Sequence, residues 1–299
     1  MGNLSILNNI AAIHGQNELT KTSVLLNQTL NRLSSGRRIN SGADDAAGMM
    51  IADTLRANVR AIDQAVRNAN DAISVSQIAD GALGEITNLL TRSVSLAEQA
   101  ATGTVDNTAR GALNAEFTQI KAEIARIATQ TNFGGVMLFS DDPDLSILNG
   151  ELNVFVGDIF SDSSITITIN TIEVTQNGAG EASVILGQNG SEVDLTDSSL
   201  ATATDALAAL GLIKDALIQI AMDRGTIGAG MNRLQSAAAV LQSQSLNTQA
   251  AESTIRDANI ATEVSNLTKY QILSQTGMAA LSQANAQSQS ILSLMRGLG

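Results

Sequence analysis

The sequence predicts a mainly α fold in which both chain ends form a long antiparallel helical bundle or coiled coil, with a small β-hairpin segment in the middle. Near both ends of the 299-residue chain, apolar residues recur at alternating spacings of four and three, which is typical of coiled-coil helices. Between the ends, two short runs alternate apolar with polar residues, which is typical of strands. Only 2% of the residues are aromatic, and a core of Leu, Ile, Val, Met and Ala suits helices packed into thin rods.

The chain begins with a predicted helix over residues 1–35 that carries a seam, a stripe of apolar residues along one face. The seam contains four leucines: Leu19, Leu26, Leu30 and Leu33. Residues 34–48 are rich in Gly, Ser and Asn and predict a partly irregular connection. Helical spacing returns over residues 46–100 and again from about Asp106. The short connection between these two runs predicts antiparallel neighbours.

In the middle of the chain, the spacing of apolar residues changes from that of a helix to that of a strand. Residues 132–135 (Asn-Phe-Gly-Gly) are expected to end the second of these helices. Residues 152–156 and 165–169 then alternate apolar with polar side chains, which predicts a hairpin of two strands. Residues 184–186 lie between glycines and are expected to add one more short strand.

Helical spacing resumes near Ser199 and continues to the C-terminus, and any break in it is expected near the glycines at 225–230. The last part carries a second seam on four-three spacing, formed by Ile260, Val264, Leu267, Met278, Leu281, Leu292 and Met295. Polar residues interrupt this seam, so such a helix is unstable when isolated in water. We therefore expect the two terminal helices to pair with each other or with other copies of the chain.

The composition argues against an enzyme. The chain has no Cys and a single His, which rules out thiol chemistry, thiolate metal sites and mechanisms with two imidazoles. No acid, base and nucleophile converge in the sequence. We therefore expect no catalytic residue, no metal ligand and no cofactor.

The sequence also argues against a membrane span, a cleavable signal peptide and a nucleic-acid partner. No run approaches about 18 uninterrupted apolar residues, so no membrane span is predicted. The first twenty residues lack a basic start ahead of an apolar run, so no cleavable signal peptide is expected. Nothing resembles a basic stripe, which makes nucleic acid a poor partner.

The negative charge is concentrated in one segment. Residues 141–200 contain eleven of the 29 acidic residues and no Lys or Arg. The remaining residues hold 18 acidic against 17 basic side chains. We interpret the acidic segment as a solvated outer surface and the neutral remainder as a surface able to pack against itself.

Several runs of residues carry a family resemblance. Near the N-terminus they are LNRLSSGRRINS at 30–41, DDAAG at 44–48 and QAVRNAND at 64–71, and near the C-terminus ATEVSNL at 261–267, LSQAN at 281–285 and ILSLMR at 291–296. In these residues the chain resembles bacterial flagellin. The resemblance covers roughly residues 1–140 and 200–296, and a set of motifs this long is far more specific than one short pattern.

The resemblance implies a structural protein that polymerises into the extracellular flagellar filament through its terminal seams. Residues 1–45 would supply an inner-tube helix and its connection, and residues 256–299 the other inner-tube helix. Residues 46–172 would form the surrounding helices and the hairpin, 173–200 a minimal acidic outer segment, and 201–255 a return helix. The implied partners are copies of the chain, an export chaperone, the filament cap and the hook-junction proteins.

The resemblance also implies a contact with an animal Toll-like receptor. The receptor-binding Arg, Leu and Glu of the family match Arg92, Leu96 and Glu116. The residues around them depart from the family pattern at Val94 and Ser95. The alternative for Arg92 and Glu116 is a pair of exposed charges on neighbouring helices.

Two other functions fit parts of the pattern. A hook–filament junction protein shares the terminal architecture and would form a short collar. A secreted helical adhesin or binding module would use amphipathic helices at membranes, but Lys and Arg are scarce on the seam helices.

Overall fold

The computed structural model describes residues 9–140, 150–176, 182–186 and 193–296. In these ranges the helices are α1 (Ile10–Ser35), α2 (Ala46–Ala101), α3 (Asn107–Gln130), α4 (Ala203–Arg256) and α5 (Ile260–Arg296). The strands are β1 (Asn132–Phe133), β2 (Val136–Met137), β3 (Glu151–Phe155), β4 (Ser164–Thr168), β5 (Ile172–Gln176), β6 (Ala182–Leu186) and β7 (Val193–Asp194). The chain divides into a terminal unit, residues 1–57 with 247–299, and a central unit, residues 58–246.

The terminal unit is built on α1 packed against α5. Asn9 Nδ2 donates a hydrogen bond of 3.1 Å to the carbonyl oxygen of Ala284, and Arg32 Nη1 lies 3.7 Å from Glu263 Oε1. Because the start of α1 lies beside the later part of α5 and the end of α1 beside the start of α5, the two helices are antiparallel.

Two connections pair with each other beside these helices. α1 ends at Gly36, which has a φ of 70°, a left-handed conformation that glycine adopts without strain. The Gly36 carbonyl accepts a hydrogen bond of 2.9 Å from the Ala258 N–H, and the Arg38 N–H donates one of 2.7 Å to the Arg256 carbonyl. The end of α4 and the start of α5 are therefore tied to the chain that leaves α1.

The central unit contains α3 and the parts of α2 and α4 that lie within residues 58–246. Arg92 of α2 pairs with Glu116 of α3, and Asp80 of α2 pairs with Arg224 of α4 at 2.7 Å. Large fully buried side chains come from all three helices and include Ile62, Ile86, Leu90, Phe117, Ile124, Ile213 and Ile220.

The strands form three small antiparallel sheets beside the helices. β1 and β2 are joined by Gly134 and Gly135, whose φ angles of 62° and 92° suit a two-residue hairpin turn. β3 and β4 form the long hairpin, with Leu152 opposite Ile167. β5, β6 and β7 form the third sheet, and α3 packs against β5 and β6.

The predicted fold class is confirmed, with antiparallel terminal helices and a hairpin in the middle. The expected break near 225–230 is wrong, because α4 is continuous from Ala203 to Arg256 and the helical run is interrupted only at 257–259. The short strand expected at 184–186 is part of β6, whereas β1, β2, β5 and β7 were not predicted.

In the described ranges, no helix combines the length and the apolar character needed to cross a membrane.

Candidate functional site

The contact between α1 and α5 is made by one regular row of residues on each helix. On α1 the half-buried or buried positions that recur at spacings of three and four are Ala12, Gly15, Leu19, Thr22, Leu26, Thr29 and Leu33. On α5 they are Glu263, Leu267, Tyr270, Ser274, Gly277, Leu281 and Ala284. We call these fourteen residues the inner row. Their spacing is the heptad pattern of paired helices.

The inner row contains part of the predicted seam. Leu19, Leu26, Leu33, Leu267 and Leu281 all belong to it. Leu30, Ile260, Val264 and Met278 instead have 43%, 49%, 45% and 53% of their surface exposed. We call these four residues the outer row. Leu292 and Met295 belong to α5, but their side chains lie outside the described residues.

The sequence pattern had merged two faces of α5 into one. The inner-row residues Glu263 and Gly277 each precede a predicted seam residue, Val264 and Met278, by one position. One position corresponds to a rotation of about 100° around the helix. As polymerisation residues, all eleven members of the predicted seam stay a prediction.

An ion pair lies at the end of the inner row. Arg32 Nη1 is 3.7 Å from Glu263 Oε1, and Arg32 Nη2 is 3.9 Å from Asp44 Oδ1. The Glu263 side chain is only 10% exposed. Arg32 lies in the last turn of α1 and Glu263 in the first turn of α5, so each charge also interacts favourably with its own helix dipole.

Asp44 organises the connection that follows α1. The Gln28 side chain donates to Asp44 Oδ1 at 2.9 Å, and the N–H groups of Asn40 and Ser41 donate to Oδ2 at 3.1 and 3.0 Å. These hydrogen bonds favour the ionised carboxylate and lower the pKa of Asp44 to about 2. The irregular segment therefore folds around a charged group in contact with Arg32.

The three residues matched to a receptor contact have different environments. Arg92 Nε and Nη2 donate to Glu116 Oε1 at 2.9 and 2.7 Å. The side chains of Arg92 and Glu116 are 57% and 44% exposed. Leu96 is only 1% exposed and belongs to the core of the central unit. Two of the three residues are therefore at the surface of the central unit, and the third is buried in its core.

The described part of the chain holds no group of three or more His, Cys, Asp or Glu side chains arranged to bind a metal ion.

Comparison with known families decides the identity. Residues 6–143 match the family model described as the bacterial flagellin N-terminal helical region, and residues 210–295 match that of the bacterial flagellin C-terminal helical region. The chain belongs to the bacterial flagellin family. It is a structural subunit that polymerises into the flagellar filament, the extracellular organelle of motility.

Individual relatives match nearly the whole of this flagellin. Flagellin FlaB1 of Treponema pallidum (strain Nichols) is 35% identical over 97% of this chain and 99% of its own length. A flagellin of Halalkalibacterium halodurans is 36% identical over 90% of this chain and 91% of its own. A solved structure described as a flagellar hook-associated protein of Vibrio parahaemolyticus has a TM-score of 0.54 and 14% identity, and the match covers 72% of this chain and 100% of that one. The last likeness shows a shared fold alone.

The predicted filament function is therefore confirmed, and the comparisons favour neither of the two alternatives. What the sequence pattern missed was the contribution of Gly15, Gly277, Arg32 and Glu263 to the helix pair. One signal was available, because Gly15 precedes Leu19 by four residues and Gly277 precedes Leu281 by four. Residues four positions apart lie on the same face of a helix, so each helix offers a glycine beside a leucine on one face.

Proposed function

We propose that this flagellin assembles through two different rows of its terminal helices. The inner row holds α1 and α5 together within one subunit. The outer row binds neighbouring subunits. The observation that carries this proposal is the exposure of Leu30, Ile260, Val264 and Met278 beside a helix contact that does not use them.

The three members of the outer row on α5 share one face of that helix. Ile260, Val264 and Met278 lie within about 40° of one another around α5 at 100° per residue. Full burial of a large apolar side chain contributes about 1.5–3 kcal/mol, so each of these half-exposed residues has about 1 kcal/mol still to gain. We propose that the outer row of one subunit packs against a different surface of the next subunit. Such heterologous contacts produce an open helical polymer when they do not close into a ring.

We further propose that the chain ends become ordered when they assemble. The inner row is composed largely of small or polar residues such as Gly15, Thr22, Ser274 and Gly277. Such a contact buries little apolar surface, and the ordering entropy of two long helices is large. Burial of the outer row on a growing filament would add the missing free energy.

Seeded growth tests the division into two rows. Purified monomer is mixed with sheared filament seeds and examined by electron microscopy and sedimentation. We expect the full chain to grow long tubes and a variant without residues 260–299 to stay soluble. Val264→Asp and Met278→Asp should raise the monomer concentration needed for growth, because each would bury a charge without a partner.

Gln283→Asp is the matched control, since Gln283 is exposed on α5 and lies more than about 100° from the outer row. Growth of Val264→Asp and Met278→Asp at the concentration of the unsubstituted chain would remove the outer row from the interface. An equal defect in all three variants would show that the effect is not specific to the row.

In the filament, we propose that the terminal unit forms the inner tube and the central unit the layer around it. Residues 173–200 would then be a minimal acidic outer segment. The separation of the chain into two compact units supports this arrangement, as does the concentration of acidic residues in 141–200. Limited proteolysis of intact filaments tests it: cleavage should begin within 141–200 and spare α1 and α5.

We propose that the chain has no catalytic activity and requires no cofactor. The family is one of structural proteins, and the single His and the lack of Cys support the same conclusion. Incubation of purified filaments with general protease and glycosidase substrates should release no product above a buffer control.

Before assembly, the outer row of α5 would be exposed to water. We propose first that an export chaperone covers the C-terminal segment in the cell. The chain would then leave unfolded through the flagellum-specific channel. Cap and hook-junction proteins would contact it at the ends of the filament. Co-purification of a chaperone with the full chain, but not with a chain that lacks 260–299, would support the first step. Equal recovery with both chains would contradict it.

Finally, we propose Arg92 and Glu116 as the residues that a Toll-like receptor would contact, with Leu96 acting through packing. In a receptor-reporter assay, Arg92→Ala and Glu116→Ala should reduce signalling while lowering the free energy of unfolding by no more than about 1 kcal/mol, the usual upper value for an exposed ion pair. Leu96→Ala should cost about 2–5 kcal/mol of folding free energy. Unchanged signalling by both surface variants would leave the pair as ordinary exposed charges.

A further inference from the structure

The sulfur atoms of this flagellin all belong to methionine side chains. The chain has eight Met and no Cys, so an oxidant that reacts with sulfur can attack only thioethers. Among the described residues, the exposed methionines are Met50, Met222 and Met278, with 68%, 60% and 53% of their surface exposed. The other methionines whose side chains the structure describes are half-buried. These three side chains are therefore the ones that an oxidant reaches most easily in the isolated subunit.

Met278 differs from the other two because it lies in the outer row. It follows Ile260 by 18 positions, which is about five whole turns of α-helix, and Val264 lies about 40° away on the same face. Both of these residues are exposed and apolar. Met50 belongs to α2 and Met222 to α4, outside the outer row. A chemical change at Met278 would therefore act on the surface that binds neighbouring subunits in the assembly proposed above.

We propose that Met278 is an oxidation site that controls assembly, because a peroxide converts its thioether to a sulfoxide and the oxidised monomer then adds poorly to filaments. The sulfur lone pair attacks one oxygen of hydrogen peroxide, so that an S–O bond forms and the O–O bond breaks. Sulfur is oxidised by two electrons and the peroxide is reduced. The proton of the transferred oxygen passes to the departing hydroxide, which leaves as water. The inference rests on the outer row proposed above and adds a chemical modification to it.

The sulfoxide makes one position of the outer row polar. Oxidation converts a flexible apolar side chain into a polar one, and Ile260 and Val264 on the same face have no side-chain donor for its oxygen. Burial of a polar group without a hydrogen bond opposes the contact between subunits. The isolated monomer should keep its melting curve, because Met278 is exposed there.

A buried Met278 should in turn be protected from the oxidant. Monomer and seeded filament are treated with the same concentration of hydrogen peroxide, and peptide mass spectrometry follows the sulfoxide at Met278. Trypsin leaves Met278 and Met295 on one peptide, residues 270–296, so fragment ions are used to separate them. We expect oxidation of Met278 slower by about tenfold or more in the filament, since its exposure is then lost. Equal rates in the two states would overturn the proposal.

Seeded growth measures the effect of the oxidation on assembly. Monomer is treated with hydrogen peroxide, freed of the reagent and mixed with seeds, and each variant is compared with its own untreated monomer. The concentration required for growth should rise by about tenfold in the unsubstituted chain. Met278→Leu should remove most of this rise, whereas the matched control Met222→Leu, which removes an exposed methionine outside the outer row, should leave it in place. An equal rise in both variants would contradict the proposal.

Enzymatic reduction gives a second test without a substitution. The oxidised monomer is incubated with methionine sulfoxide reductases A and B, one for each epimer of the sulfoxide, and with dithiothreitol as the reductant. The sulfoxide oxygen leaves as water and the thioether is restored. Growth should then return to the concentration that the untreated monomer requires. A defect that persists after Met278 has been reduced would show that another modification causes it.

Val264→Asp separates this inference from the proposal on which it rests. Should Val264→Asp raise the required concentration while the monomer oxidised at Met278 grows normally, the outer row stands and the oxidation site is wrong. Should Val264→Asp grow at the concentration of the unsubstituted chain, the outer row itself is wrong, and the oxidation site is wrong with it.

Discussion

Leu19 on α1 packs over Gly277 on α5, with its Cδ1 atom 3.3 Å from the position that a Cβ atom on Gly277 would occupy. The reverse contact lies one turn away, where Leu281 Cδ1 is 3.5 Å from the corresponding position on Gly15. The leucine of each helix thus fills the space left by the glycine of the other. Because a shift of one residue would replace both glycines by larger residues, this contact favours a single register of the pair.

The first prediction concerns the sizes of the side chains at positions 277 and 19, which meet between the two helices. Gly277→Leu should crowd Leu19 and destabilise the α1–α5 pair by about 1–3 kcal/mol, the usual cost of overpacking. Addition of Leu19→Ala should restore part of the loss. The measurement is the melting temperature of assembled filaments by calorimetry. Gly81→Leu is a control at an exposed site with no neighbouring atom within 4 Å, where replacing glycine should be neutral or slightly stabilising.

The second prediction concerns the ion pair of Arg32 with Glu263. Arg32→Met leaves the buried Glu263 carboxylate without its cation, and Glu263→Gln leaves the half-buried Arg32 with Asp44 at 3.9 Å. Each change should therefore weaken the filament against denaturant. Because the two groups interact directly, the double variant should lose less than the sum of the single losses, with a coupling of about 1–2 kcal/mol. Arg32→Met should have the larger single effect, since Arg32 also faces Asp44. Strictly additive losses would show that Arg32 and Glu263 do not stabilise each other.

The sequence predicted the helices well because each is long and strongly periodic, but it misplaced the break in the last helical run. Glycines suggested 225–230, yet Gly230 serves packing there: a Cβ atom at Gly230 would lie 2.7 Å from Ile167 Cγ1. The interruption at 257–259 contains neither Gly nor Pro. Within it, the Ala258 N–H donates to the Gly36 carbonyl, and just before it the Arg256 carbonyl accepts from the Arg38 N–H. These partners are more than 200 positions away, which local propensity cannot reveal.

The candidate site was predicted in part for a similar reason. A search for apolar residues on heptad spacing selects Val264 and Met278, because Glu263 and Gly277 do not count as apolar. In the structure the less apolar row forms the helix pair, since Gly277 permits a close approach and Glu263 meets Arg32. The family resemblance located Arg92, Leu96 and Glu116 but did not tell how exposed each side chain is. The structure shows that the two charges are at the surface and that the leucine is in the core.

The third prediction tests a buried amine in the central unit. Lys121 is 3% exposed, donates to the carbonyl oxygens of Thr196 and Ser198 at 3.3 and 3.0 Å, and lies 5.3 Å from the centre of the Phe117 ring. Lys121→Met should lower the free energy of unfolding by about 1–3 kcal/mol, because hydrogen bonds to buried carbonyl groups are lost. Urea unfolding of the monomer measures this. Lys214→Met, at an exposed position of α4, should stay within about 0.5 kcal/mol of the unsubstituted chain, and an equal effect of both changes would contradict the prediction.

The fourth prediction follows from Asp223, a buried carboxylate on α4 whose Oδ1 accepts hydrogen bonds from Asn170 Nδ2 at 2.6 Å and Gln219 Nε2 at 3.0 Å. Burial raises the pKa of Asp223 above its ordinary value, and the two hydrogen bonds offset this only in part. A raised folded-state pKa means that the contribution of Asp223 to stability is fully present below the unfolded pKa of about 3.9 and is lost as pH rises through the folded-state pKa.

Asp223→Asn keeps an oxygen that can accept both hydrogen bonds and removes the charge. It should therefore raise the free energy of unfolding at about pH 7 and leave it nearly unchanged below about pH 4. Urea unfolding of both monomers across this range measures the difference, and a variant that is less stable than the unsubstituted chain at neutral pH would show that the ionised carboxylate is needed by its two amide partners.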